Sequence, residues 1–125
     1  MNNPVFQAPD GVLDSIIQAS PIGMLLVDEH QRIVFANQKT LDLFGYDAET
    51  LSGLTMEALM PERFRADHPA HMQAYRQNAQ PRSMGFNREL KGLTSDGREL
   101  DLEIGLAPLE FDQRQLVLAS IIDVT

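Results

Sequence analysis

The chain contains no cysteine in its 125 residues. That removes disulfides, thiolate metal sites, cysteine nucleophiles and any cofactor held through a thioether or thioester bond. Tryptophan is absent as well, which excludes nothing by itself. Cations are scarce: 10 Lys and Arg face 18 Asp and Glu, for a net charge of −8. A surface of that sign argues against nucleic acid or an anionic membrane as the main partner. No apolar run reaches the roughly 20 residues of a transmembrane helix, and the N-terminus lacks the charged-then-apolar layout of a secretion signal. The cytoplasm is the expected location.

What is present suits a single globular domain. The apolar fraction of 43% is enough for a core, and the length fits one domain. Charge is uneven along the chain. Between Arg63 and Arg98 the cations Arg63, Arg65, Arg76, Arg82, Arg88, Lys91 and Arg98 outnumber the acids Asp67, Glu89 and Asp96. Surface decoration accounts for this; so does an anionic group bound in the middle third.

Local patterning predicts helix, two strands, several short helices and three strands. "DGVLDSIIQAS" has Asp10 as a cap and an apolar stripe of Val12, Leu13, Ile16 and Ile17, stopped at Ser20-Pro21. "GMLLVD" (23–28) and "RIVFAN" (32–37) form a hairpin. Asn37 caps "QKTLDLFG", which Gly45 closes; "DAETLSG" and "TMEALMP" are further short helices, and a longer one spans about 67–78. Strands at 85–93 and 98–109 flank the Asp96-Gly97 turn. In the second of them Leu100, Leu102, Ile104 and Leu106 alternate with polar residues and Gly105. The last strand, 115–125, is apolar on both faces, so both need covering, by the N-terminal helix or by a second copy. The class is α+β, with an antiparallel sheet and helices massed on one side.

Three pieces in this order, "SPIGMLLVDEHQRIVFANQKTLDLFGYDAETLSGLTMEALMPERFR", "SDGRELDLEIGLAPL" and "IIDVT", resemble a PAS sensory domain of the PAS/PAC, S-box type. The resemblance covers about 20–125, with 1–19 as a flanking helix. It implies a five-stranded antiparallel sheet with short helices packed on one face around a small pocket. Its partners would be a small-molecule ligand, a second copy in a homodimer, and an output domain following Thr125 in the same chain: histidine kinase, diguanylate cyclase or transcriptional regulator. A module that ends at this point is expected to be truncated before its signalling helix. The expected role is regulatory rather than enzymatic, since no Ser-His-acid arrangement or glycine-rich phosphate loop is apparent. Flavin of the cysteine-adduct type is excluded.

One segment goes further. "LMPERFRADHPAHMQAYRQNAQPRSMGFNREL" is similar to the corresponding part of bacterial oxygen-sensing haem-PAS kinases, where the iron-binding histidine precedes a helical tyrosine-arginine pair by seven residues. The resemblance implies His68 as iron ligand, Tyr75-Arg76 as the pair, and Arg88 as the arginine that meets bound gas or a haem propionate. The alternation of 85–93 also puts Arg88 in phase with Phe86 and Leu90, facing inward, where it needs an acid such as Glu57 or Glu62, carbonyls or an anion.

The residues alone leave His68 open as haem ligand, wall of a non-haem pocket, or helix cap beside Pro69. On a projection at about 100° per residue, both His68 and His71 fall near the stripe of Phe64, Met72 and Tyr75. Zinc would need more partners than these two, and His30 lies in a distant turn. The expected pocket is Phe35, Leu43, Phe44, Met60, Phe64, His68, Met72, Tyr75, Met84, Phe86, Arg88, Ile104 and Leu118.

Overall fold

An antiparallel sheet carries the fold in the computed structural model, which describes residues 11–77, 82–84 and 90–125. The first helix, α1 (Val12–Ala19), starts from Gly11 in the left-handed region, φ 83°; the expected cap Asp10 lies outside the described residues. Val12 and Ile17 are partly covered, whereas Ile16 is exposed. Strands β1 (Gly23–Val27) and β2 (Ile33–Ala36) follow. The turn between them is built on Asp28, whose Oδ1 accepts the N–H groups of His30 at 2.8 Å and Arg32 at 3.0 Å.

Asn37 caps α2 (Gln38–Phe44), and Gly45 closes it at φ 78°. Asp47 caps α3 (Ala48–Leu51) by accepting the Thr50 N–H at 2.7 Å. A 3-10 helix (Met56–Leu59) leads to α4 (Glu62–Arg65) and α5 (His68–Gln77). The chain therefore turns between Arg65 and His68, where the apolar spacing ran on without a break. Among the described residues no helix is long and apolar enough to cross a membrane.

The remaining strands are β3 (Arg82–Met84), β4 (Leu90–Leu93), β5 (Glu99–Phe111) and β6 (Arg114–Asp123). Their order is β2-β1-β6-β5, with β3 and β4 both paired to the far side of β5. The sheet thus has the five expected strand positions, the last in two pieces. Met84 stands opposite Ile104 and Leu90 opposite Leu102. The paired segment advances six residues while β5 advances two, so one unbroken ladder does not join Met84 to Leu90. Of the expected strand over 85–93 the structure describes Leu90–Leu93, and it adds the strand Arg82–Met84; 85–89, with Phe86 and Arg88, lie outside the described residues.

Directly paired residues share a face, and neighbours along a strand alternate. Leu25, Val27, Leu106, Val117, Ala119 and Ile121 face the helices and are buried with Phe44, Leu51, Leu59, Met72 and Tyr75. Each such side chain contributes about 1.5–3 kcal/mol when fully buried. Leu26 points to the opposite face, and its partners Phe35 and Leu118 go with it. That outer face continues through Ala107, opposite Leu118, and the Leu109–Leu116 pair; Leu109 and Ile122 are exposed. The extra residue Val34, at a register shift in the β1–β2 ladder, is exposed too.

Candidate functional site

His68 opens α5 and turns inward. Its Nδ1 lies 3.0 Å from Oε2 of Glu57, on the 3-10 helix, and the two side chains are only 13% and 23% exposed. Met72 and Tyr75 follow at i+4 and i+7 on the same side of α5 and belong to the buried core. His71 is exposed, so the two histidines divide cleanly. An ionised carboxylate can only accept, so the shared hydrogen belongs to Nδ1, and in the neutral form of the ring the lone pair is then on Nε2. That donor chemistry fits a haem iron, for which a neutral imidazole is an ordinary axial ligand.

Phe64 does not join this group. It sits on α4, 43% exposed, with the Arg63 guanidinium carbon 4.7 Å above its ring. Arg63 in turn holds Glu99 through two 2.7 Å bonds. The turn between α4 and α5 rotates Phe64 off the stripe that a continuous helix would have given it. Phe35 and Leu118 also leave the expected pocket, because they lie on the sheet's outer face. Phe44, Met72, Tyr75 and Ile104 do come together in or against the core, with Leu43 packed beside them. Met60 is half-buried, its carbonyl accepting Arg65 Nε at 3.0 Å. Met84 is located by its backbone pairing alone.

The β4 strand passes close over this core. A Cβ on Gly92 would stand 3.0 Å from Phe44 Cε1 and 2.6 Å from Leu102 Cδ1. Behind the helices, Arg76 reaches across from α5 and donates through Nη2 to the Asp28 carbonyl at 2.5 Å. Burial works against the Asp28 carboxylate, but the N–H donors of Arg32 and His30, with the charge of Arg114, outweigh it and hold its pKa below the usual value. Arg76 Nε is buried without a hydrogen-bond partner among the described residues.

A separate cleft of about 450 Å³ opens between β2, α2 and α3, lined by residues that include Ile33, Phe35, Leu41, Leu51, Glu49 and Ser52. Of the expected pocket residues, only Phe35 borders it.

Sequence reading missed two residues in particular. Asn37 was legible as a cap, yet it is also a hub. Fully buried, it accepts from Met24 N and from the amide and hydroxyl of Thr40, and donates to the carbonyls of Ile17 and Ile22. Glu57 was legible only as one of two acids offered to Arg88, which lies outside the described residues; among the described residues its partner is His68.

The sequence model of one family, described as the PAS fold, matches residues 12–124. The oxygen sensor protein DosP of Escherichia coli is 25% identical over 118 residues, covering 94% of this chain and 15% of that protein. The sensor protein FixL of Bradyrhizobium diazoefficiens is 26% identical over 98 residues, covering 78% of this chain and 19% of that protein. The chain therefore spans less than a fifth of either relative. Among solved structures, the PAS domain of an HTR-like protein from Haloarcula marismortui superimposes with a TM-score of 0.77 at 18% identity, over 90% of this chain and 88% of that one.

Proposed function

We propose that this chain, which belongs to the PAS family, is the haem-binding gas sensor of a longer cytoplasmic signalling protein, with His68 as the iron ligand. The observation that carries the reading is the inward His68, its Nδ1 engaged by Glu57, which leaves Nε2 as the nitrogen free to bind a metal. The E. coli relative, an oxygen sensor by name, supports it. When bound, haem supplies reversible capture of a diatomic gas and one-electron redox chemistry. The chain's own part is to present the imidazole, exclude water with Met72, Tyr75 and Phe44, and pass a change in packing to the sheet. The apolar outer face, with Leu109 and Ile122 exposed, supports a homodimer as the working form.

The test is an absorption spectrum of the purified protein before and after incubation with haemin, repeated on His68→Ala and His71→Ala. A sharp Soret band lost only in His68→Ala is the expected result. No specific band in the wild type overturns the haem reading and moves the search for a small-molecule ligand to the cleft beside β2. For the dimer, light scattering on protein with and without residues 1–19 gives the mass; monomers in both cases overturn it.

A further inference from the structure

The contact between Glu57 and His68 does more than fill space. We infer that Glu57 is a positioning residue for the sensor ligand: it fixes His68 in the Nδ1–H form, so that Nε2 is the nitrogen offered to iron. This rests on the haem reading above and concerns a residue outside the ligand itself.

Three observations support it. First, the geometry is that of a real hydrogen bond, 3.0 Å from ring nitrogen to carboxylate oxygen. Second, the pair is largely withdrawn from water, at 13% and 23% side-chain exposure, so it is not the exposed ion pair whose worth is near zero. Third, the carboxylate stands on a braced element. The 3-10 helix is tied at its start by Met56 N–H to the Gln31 carbonyl at 2.8 Å, is closed by Met60 N–H to the Glu57 carbonyl at 3.2 Å, and buries Leu59. A histidine that ligates a metal through one nitrogen commonly gives its other N–H to a carboxylate, which sets ring orientation and strengthens donation. Glu57 supplies that partner from a different helix, so the ligand is oriented by tertiary structure as well as by α5.

The experiment uses Glu57→Gln, nearly isosteric and uncharged, with Glu57→Asp as the charge-keeping variant. Two readouts separate positioning from mere packing. In protein free of haem, nitrogen-15 spectra of the histidine rings report the tautomer of His68. The wild type is expected to show Nδ1–H, and Glu57→Gln a mixture with Nε2–H. In haemin-loaded protein, the reduction potential is expected to rise in Glu57→Gln, shifting the Fe(III)/Fe(II) ratio about tenfold at fixed poise, which is ~59 mV for one electron. Glu57→Asp is expected to recover part of that shift. An unchanged tautomer and potential in Glu57→Gln, beside a normal wild-type Soret band, overturns this inference and leaves the haem reading standing. A wild type that takes up no haemin overturns both. If Glu57→Gln fails to fold, Glu57→Ala decides: loss of the carboxylate is expected to shift the tautomer and the potential in the same directions, and wild-type values for both overturn the inference.

Discussion

The side-chain amide of Asn37 donates to the carbonyl of Ile17 at 2.9 Å, so the cap of α2 also holds the last turn of α1. The same amide reaches the Ile22 carbonyl at 3.1 Å, and its oxygen takes the Met24 N–H at 2.9 Å. One buried side chain therefore joins the flanking helix, the first strand and the second helix. Asn37→Ala leaves several buried groups unpaired and is expected to cost about 3 kcal/mol in urea unfolding. Asn37→Asp keeps the acceptor but sets a charge against two carbonyls. It is expected to release α1 selectively, seen as faster hydrogen exchange at its amides than in the sheet.

Asp28 gives a pH dependence with a definite sign. Its folded-state pKa is lowered, so its contribution to stability is fully present above the unfolded value of about 3.9 and is lost as pH falls through the folded value. Urea midpoints of wild type and Asp28→Asn, measured from pH 6 downward, are expected to converge across that acidic window. Parallel curves would remove Asp28 as a contributor.

Gly92→Ala places a methyl group against Leu102 and Phe44. Overpacking of this kind costs about 1–3 kcal/mol. The expected outcome is a lower thermal midpoint, with partial rescue by Leu102→Val, which withdraws the nearer contact. A wild-type midpoint would show that β4 can lift away from α2.

Thr125 tethers the end of the last strand. Its hydroxyl oxygen accepts the Asp101 N–H at 3.0 Å, beside the bond from Val124 N–H to the Asp101 carbonyl at 2.9 Å. The hydroxyl and amide of Thr125 also hold the Asp123 pKa below its usual value. Thr125→Val removes these hydroxyl bonds and is expected to cost roughly 1 kcal/mol. The Asp101 amide should then exchange several-fold faster while β1 amides stay unchanged.

The strands and caps were legible because each rests on a local rule. Alternation exposes Glu99 and Glu103 while burying Leu100 and Leu102. Asn37, Gly45 and the Asp96-Gly97 turn, with Gly97 at φ 91°, follow from cap and turn chemistry. The site was harder to read. Pro69 marks the start of α5, but the helical projection carried back to Phe64 placed that residue on the stripe of Met72. Phe35 and Leu118 are apolar in strands that are apolar on both faces; only the register assigns them a side. The pairing of Glu57 with His68, and of Arg76 with the Asp28 carbonyl, joins elements that no sequence periodicity connects.

The two-piece edge of the sheet sets its register twice. Met84 and Leu90 are separated by five residues, while their partners Ile104 and Leu102 are separated by Glu103 alone. Both ladders keep their register whatever number of residues joins them, down to the few needed to span that gap. The edge is therefore held at two points, Ile104 and Leu102, each by its own ladder.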